Sequence, residues 1–259
     1  MELDFGIDKK ALLFASKKHK YQTFNDNSGT PYIEHCKRVY CNLFTYMGDD
    51  YENRDVLAAV ALLHDTLEDT ETTYEEIKEQ FGEEIANNVL ALTKDEKLAP
   101  EKQMEDSLKR INATSREAKM VKMADRITNI TTLHPLWGYK SSVNYLNESK
   151  MILKYLGDAH EGLAEELKKR INKYENAINI KLIEGGFMKY FTLNENLYAY
   201  DENSGLTLSH DESGWTISNM TLIQLLHENG TNEISKEEAK MITEEDPIEA
   251  IDFYNEMLK

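Results

Sequence analysis

This sequence has few cysteines, no long apolar stretch and no excess of basic residues. The only cysteines among its 259 residues are Cys36 and Cys41. They lie five positions apart on one predicted helix, so their side chains point in different directions and cannot form a disulfide without breaking that helix. A disulfide framework and a cysteine-based zinc motif are therefore excluded, and we expect two reduced thiols that serve in packing.

The missing apolar stretch and the missing basic charge both restrict the partners of the protein. The longest apolar run, from Val56 to Leu63, is too short to span a membrane, which takes about 20 residues. The N-terminal residues Met1 to Asp4 lack the basic and apolar regions of a secretion signal. The formal net charge of −17 disfavours non-specific binding to nucleic acid or to anionic membranes. We expect a cytoplasmic protein that binds neither nucleic acid nor membranes.

The first three quarters of the chain have the pattern of a mainly α-helical protein. Thr73 to Glu76 form a predicted capping box, which starts a helix. Apolar residues then recur at helical spacing through residues 77–92, and a second apolar stripe covers residues 163–178. We predict a helical bundle domain over residues 1–184.

The pattern changes after Gly185-Gly186. Short runs rich in Tyr, Phe, Thr and Leu alternate with turn-forming clusters, which predicts an antiparallel β meander followed by short helices. We therefore predict a small α+β accessory domain of unknown role over residues 187–259. Its aromatic residues Tyr198, Tyr200 and Trp215 are interpreted as one face of a small core, with a surface for a protein partner or a second copy as the alternative.

His64-Asp65 places ionisable groups at the end of the apolar run. Glu68 and Asp69 follow within a helical turn, so that His64 shares a face with Glu68 and Asp65 shares one with Asp69. Desolvating several carboxylates is costly unless a cation or solvent compensates their charge. A metal-activated water needs this layering, with ligands for the ion and a nearby carboxylate for the water. The alternative interpretation is an acidic helix end that is open to solvent.

Two other helices bring a polar residue to an apolar face. Thr30 and Pro31 predict a helix start, and His35 lies on the apolar stripe of that helix. A capping box at residues 114–117 predicts a further helix, which carries Asp125 on its inner face and Asn129 one turn later. A lone histidine on such a stripe is usually a core residue. Three helices with one inward polar residue each are better explained by a shared site.

These residues carry a family resemblance. His35, His64-Asp65 and Asp125 resemble the H…HD…D signature of the HD metal-dependent phosphohydrolases. The flanking segments are similar to the hydrolase domain of the RelA/SpoT family, especially to its stand-alone small alarmone hydrolases, over roughly residues 5 to 180. The matching segments are His19, Gly29 to His35, Ala61 to Thr70, Phe81-Gly82, Leu92-Thr93 and Val121 to Ile130.

The resemblance implies a helical domain that binds one manganese ion and removes the 3′-pyrophosphate of (p)ppGpp, although the ligand types do not exclude iron or zinc. The implied metal ligands are His35, His64, Asp65 and Asp125. Glu68 and Asp69 match the catalytic acidic pair, and Asn129 and Tyr145 match substrate contacts.

The sequence departs from the family where a basic pair usually contacts the substrate. Phe24-Asn25 occupies that place. Phe24 is able to stack on a purine, but it cannot pair with phosphate as a guanidinium does. In the following segment, Thr93 to Glu105, the side chains of Lys94, Lys97 and Lys102 are alternative phosphate contacts or ordinary solvated lysines.

The sequence therefore agrees with three alternative functions. The first is an alarmone 3′-pyrophosphohydrolase, which the complete set of implied catalytic residues favours. The second is an HD phosphohydrolase acting on another nucleotide, such as NADPH or a nucleoside phosphate, which Phe24-Asn25 motivates. The third is a nucleotide-binding regulator that acts through the C-terminal domain. That domain is too short for the synthetase domain of long RelA/SpoT enzymes, so alarmone synthesis is not expected.

Overall fold

The computed structural model describes residues 6–24, 28–47, 51–134, 137–183, 186–211, 213–243, 246–248 and 250–251. Asn25 and Gly185 lie outside the described residues. The backbone packs into two compact units. The first comprises Met1–Thr132 and Leu146–Tyr174, and the second comprises Leu133–Tyr145 and Glu175–Lys259. The second unit therefore includes residues 133–145 and 175–183, which come before the predicted domain boundary at residues 184–187. The predicted boundary remains a proposal.

The first unit is built from helices, as the sequence pattern predicts. They are α1 (Ile7–Lys18), α2 (Ile33–Tyr46), α3 (Arg54–Leu63), α4 (Thr66–Asp69), α5 (Tyr74–Phe81), α6 (Glu83–Leu92), α7 (Pro100–Thr114) and α8 (Arg116–Asn129), followed by α9 (Tyr139–Leu156), a 3₁₀ turn (Gly157–Ala159) and α10 (Glu161–Ile183). Helices α9 and α10 also contribute residues to the second unit. No helix among the described residues is long and apolar enough to cross a membrane.

Helix α3 lies in the middle of the first unit. Every residue from Leu57 to Leu63 is at most 3% exposed, so the helix is buried on all sides. Helices α1, α2, α6 and α8 pack against it. Because α3 ends at Leu63, the next residues, His64 and Asp65, emerge inside the bundle.

Two of the predicted helix starts need correction. Thr114 is the last residue of α7, where its hydroxyl donates to the Arg110 carbonyl, and Ser115 caps α8 by accepting from the Ala118 N–H. Helix α2 begins at Ile33, two residues later than Thr30-Pro31 predicts. The capping box between Thr73 and Glu76 is confirmed. Apolar periodicity thus located these helices correctly, while local hydrogen-bonding alternatives shifted their first residues.

The second unit contains the predicted antiparallel meander. Strands β1 (Met188–Leu193), β2 (Asn196–Asp201), β3 (Thr207–Asp211), β4 (Gly214–Ile217) and β5 (Asn232–Ile234) form a sheet of order β4-β3-β2-β1-β5, with helices α11 (Leu222–His227) and α12 (Lys236–Ile242). Tyr198 and Tyr200 pack with Leu225 of α11, whereas Trp215 packs with Ala239 of α12. The three aromatic residues therefore belong to two core clusters, not to the single face that we predict from the sequence.

Candidate active site

Four side chains from three separate segments of the sequence meet at the end of the buried helix α3. His35 comes from α2, His64 and Asp65 from the junction of α3 and α4, and Asp125 from α8. The His35 Nε2 atom lies 3.3 Å from His64 Nε2, 3.4 Å from Asp65 Oδ2 and 3.3 Å from Asp125 Oδ1. His64 Nε2 lies 2.9 Å from Asp65 Oδ2. The structure thus brings together all four residues that the resemblance implies as metal ligands.

This spacing fits the coordination shell of one divalent ion. Two ligand atoms about 2.1 Å from an ion are about 3.0 Å apart at an octahedral angle and about 3.4 Å apart at a tetrahedral angle. His64 Nδ1 donates to the Ala61 carbonyl at 2.8 Å, which leaves the electron pair of Nε2 facing the cluster. Imidazole nitrogen and carboxylate oxygen are suitable donors for a divalent transition metal.

The charges of the cluster perturb the protonation of its members. Burial lowers the pKa of His35, but hydrogen bonds and charge from Asp125 and Asp65 raise it to about 9. Burial raises the pKa of Asp65, but His64 and His35 hold it well below its usual range. These carboxylates therefore attract positive charge, and a metal ion and protons compete for the same electron pairs.

Further polar side chains fix the two carboxylates. The Tyr32 hydroxyl donates to Asp65 Oδ2 at 2.8 Å. Asp125 accepts from Asn129 Nδ2 at 2.7 Å and from Lys122 Nζ at 3.0 Å. Tyr32 and Lys122 are members of the site that the sequence pattern did not predict. The spacing of Lys122 three residues before Asp125 on one helix was the available signal.

The predicted acidic pair lies beside the cluster on α4. Both oxygens of Glu68 are held by Lys94, because its backbone N–H donates to Oε2 and its Nζ donates to Oε1, each at 3.0 Å. Asp69 is exposed, and its Oδ2 accepts from Gln22 Nε2 at 3.1 Å. The position of Lys94 is in turn fixed by Arg110, whose guanidinium donates to the Thr93 carbonyl at 2.8 Å and to two carbonyls at the end of α6.

The cluster and the acidic pair share one cavity of about 270 Å³. The cavity is open to solvent and its wall is almost entirely polar. The lining residues are Tyr32, His35, His64, Asp65, Glu68, Asp69, Leu92, Lys94, Lys122, Asp125 and Asn129. Metal donors, acidic groups and cations thus face one space that a charged small molecule is able to enter.

Of the predicted substrate contacts that the structure describes, one lines this cavity. Asn129 lines it, whereas Lys97 is exposed and does not. Phe24 is half-buried with its ring centre 5.9 Å from the ring of Tyr32. Tyr145 belongs to the second unit, where its ring lies 5.1 Å from that of Trp137.

One thiol also lies next to the donors. Cys36 is buried, and its Sγ lies within 4.8 Å of donor atoms of His64 and Asp65. The sequence analysis treats Cys36 as a packing residue, because no cysteine motif accompanies it. Its proximity follows from its place directly after His35 in α2.

Comparison with known proteins agrees with this geometry. The family model described as HD domain matches residues 11–152, so the chain belongs to the HD-domain family. The helical fold and the buried His and Asp cluster define it as a metal-dependent phosphohydrolase of that family, which uses a divalent metal.

Two similar proteins of known name are both named after the same enzymatic reaction. The chain is 31% identical over 159 residues to guanosine-3′,5′-bis(diphosphate) 3′-pyrophosphohydrolase MESH1 from Danio rerio, covering 60% of this chain and 87% of that protein. It is 38% identical over 162 residues to guanosine-3′,5′-bis(diphosphate) 3′-pyrophosphohydrolase from Aquifex aeolicus, of which it spans 21%.

A solved structure has a similar fold. Its published title is "A metazoan ortholog of SpoT hydrolyzes ppGpp and plays a role in starvation responses", and it superimposes with a TM-score of 0.57. The sequence identity is 23%, and the match covers 67% of this chain and 98% of the other. At this identity the likeness supports the helical fold alone.

Proposed function

We propose that this protein hydrolyses (p)ppGpp at its 3′ position and releases pyrophosphate together with GDP or GTP. The observation that carries the proposal is the single cavity in which four clustered His and Asp donors face the acidic pair of α4. The names of the relatives support the choice of substrate.

His35, His64, Asp65 and Asp125 would hold one divalent ion, for which we propose manganese. When bound, such an ion supplies Lewis-acid activation of water and of a phosphoryl oxygen. Tyr32 and Asn129 orient the carboxylates of Asp65 and Asp125 through their hydrogen bonds.

The acidic pair, Glu68 and Asp69, accepts the proton of the attacking water. Glu68 and Asp69 lie on the cavity wall, where a carboxylate orients the water and accepts its proton as the oxygen attacks phosphorus. The bond between this phosphorus and the 3′ oxygen breaks, the water oxygen stays in pyrophosphate, and the 3′ oxygen leaves with the proton that the carboxylate accepted and then releases. Lys94 limits the motion of Glu68 by holding both of its oxygens.

Recognition of the nucleotide is assigned to the predicted contacts. We propose that Asn129 contacts the substrate at the cavity wall and that Phe24 stacks on its base, with Asn25, Lys97 and Tyr145 as further contacts. We also propose that the protein acts in a stringent response and that it is cytoplasmic. The second unit is proposed to bind a protein partner or a second copy of the chain.

A second candidate substrate class follows from one observation. Phe24, next to Tyr32 of the cavity wall, replaces a basic residue that the family uses to contact its substrate. Other nucleotides, including NADPH and nucleoside monophosphates, are therefore alternative substrates of the same metal chemistry.

The test is incubation of the purified protein with ppGpp and manganese, with and without a chelator, followed by chromatography of the products. Release of GDP and pyrophosphate that stops with chelator supports the proposal. A parallel panel with NADPH and GMP distinguishes the second candidate, because cleavage of these compounds without cleavage of ppGpp would overturn the first.

A further inference from the structure

A guanidinium lies beside the aromatic residue that replaces the expected basic pair. Arg38 is an exposed residue of α2, and its guanidinium carbon lies 5.5 Å from the ring centre of Phe24. This is the distance range of a cation–π contact, in which the ring orients the planar guanidinium. Arg38 therefore brings a cation to the side of the site at which the sequence motif has none.

The location of this pair is fixed by the backbone. The Phe24 N–H donates to the Thr30 carbonyl at 3.0 Å, and the Tyr32 N–H donates to the Gln22 carbonyl at 2.9 Å. Phe24 is thereby held against Tyr32, whose ring lines the cavity. A continuous row of contacts thus runs from Asp65 through Tyr32 and Phe24 to Arg38.

Arg38 follows the candidate metal ligand His35 by one helical turn on α2. His35 and Arg38 are three residues apart on α2, so they are neighbours on one face and are separated by about 4.5 Å along the axis. A nucleotide that places its 3′-pyrophosphate at His35 has its 5′ phosphates on the same ribose, within reach of a long arginine side chain.

Arg38 lies outside the cavity lining, and the two lysines that line the cavity, Lys94 and Lys122, are already engaged with carboxylates. Lys94 Nζ lies 3.0 Å from Glu68, and Lys122 Nζ lies 3.0 Å from Asp125. Within the part of the chain that the structure describes, Arg38 has no ion pair, and its guanidinium contacts the Phe24 ring. Its neighbour Lys37, by contrast, is paired with Glu34 at 2.7 Å.

We propose that Arg38, oriented by Phe24, binds the 5′-phosphate group of the substrate and is a specificity-determining residue of this enzyme. A guanidinium recognises phosphate through two parallel hydrogen bonds, which an ammonium does not reproduce. The inference rests on the proposed function, because it assumes a nucleotide with phosphates at both the 3′ and the 5′ positions.

The experiment compares guanosine substrates that carry a 3′-pyrophosphate and two, one or no 5′ phosphates. For Arg38→Ala we expect KM for ppGpp to rise about 10- to 150-fold with kcat nearly unchanged, because a charged hydrogen-bonding partner is lost outside the reacting centre. The preference of the wild type for substrates with 5′ phosphates should shrink by the same factor. Arg38→Lys should recover only part of the preference for substrates with 5′ phosphates.

Lys37→Ala is the matched control. It removes the same charge from the next position of α2, so equal losses in both variants would show a general electrostatic effect and overturn the proposal. Phe24→Ala should weaken the same 5′-phosphate preference, because the guanidinium loses the ring that orients it. Unfolding temperatures of all variants are measured to establish that each one folds.

Calorimetric binding of ppGpp separates this inference from the proposed function. Binding that weakens in Arg38→Ala but not in Lys37→Ala supports the inference even if the wild type does not turn over ppGpp, an outcome that would refute only the proposed reaction. Turnover of ppGpp with unchanged KM in Arg38→Ala would refute the inference alone. No binding and no turnover by the wild type would refute both.

Discussion

Removal of one hydroxyl group, in the variant Tyr32→Phe, tests how strongly the residues around the metal donors control metal affinity. The Tyr32 hydroxyl donates to Asp65 Oδ2 at 2.8 Å, and the phenylalanine ring keeps the same packing. A hydrogen bond to a charged group contributes about 1.5 to 3 kcal/mol. At about 1.4 kcal/mol per factor of ten, the dissociation constant of the metal should rise about 10- to 150-fold.

An independent argument gives the same range. Replacing a partner of a metal ligand typically costs about 10- to 100-fold in metal affinity or activity. The assay is a competition titration of manganese against a chromophoric chelator, at a pH where the donors are deprotonated. Turnover at saturating metal should fall much less than turnover at limiting metal, since the acidic pair is untouched.

Tyr74→Phe is the control for this measurement. The Tyr74 hydroxyl donates to Asn87 Oδ1 at 2.8 Å on an exposed surface, so the same atom is removed from a different place. Its metal affinity should equal that of the wild type. A Tyr32→Phe variant with unchanged metal affinity would show that Asp65 does not need this hydroxyl and would refute the reasoning.

Three further predictions concern chemistry and stability. Asp65→Ala should abolish metal binding and turnover, whereas Glu68→Gln should retain the metal and slow the chemical step by about two orders of magnitude or more, as metal titration and single-turnover kinetics will show. Burial raises the pKa of Glu117, but hydrogen bonds, including one from Asn53, lower it. The stability that the charge of Glu117 contributes is present above the pKa of the unfolded state and is lost as the pH falls through the pKa of the folded state. The free energy of unfolding, measured with denaturant, should therefore fall less steeply below about pH 4.3 in Glu117→Gln than in the wild type. Leu57→Ala, at a fully buried position of α3, should cost about 2 to 5 kcal/mol of unfolding free energy in urea.

The clustering of the four candidate metal ligands was predictable because each one interrupts an apolar pattern. His64-Asp65 ends a buried helix, and His35 and Asp125 lie on the inner faces of α2 and α8. A charged residue at such a position needs a partner, whatever the tertiary structure is. The sequence therefore carries this information locally, and the helical fold follows from the same periodicity.

The groups that support the donors were not predictable in this way. Tyr32 and Asp65 are 33 positions apart, and Gln22 and Asp69 are 47 apart, so their hydrogen bonds depend on how the helices pack. Strand β5 was also missed, because its residues, Asn232 to Ile234, are few and largely exposed. Long-range pairing, not local propensity, determines these features.

The predicted cap of α8 was wrong by one residue. Thr114 and Ser115 are both good capping residues, and the sequence gives no means of ranking them. The choice of Ser115 leaves Glu117 free to accept hydrogen bonds from Tyr51 and Asn53, each at 2.9 Å. A tertiary contact of the glutamate thus replaced the capping box that its spacing suggests.

The burial of α3 links metal supply to the amount of folded protein. The proposed metal ligands at the end of this core helix are brought together only when the bundle is formed, so a metal ion held by them would bind the folded chain in preference to the unfolded one. At a free metal concentration 100-fold above its dissociation constant, this preference adds about 2.7 kcal/mol of stability. Metal limitation would then lower the concentration of intact enzyme through unfolding and proteolysis, in addition to lowering the activity of each molecule.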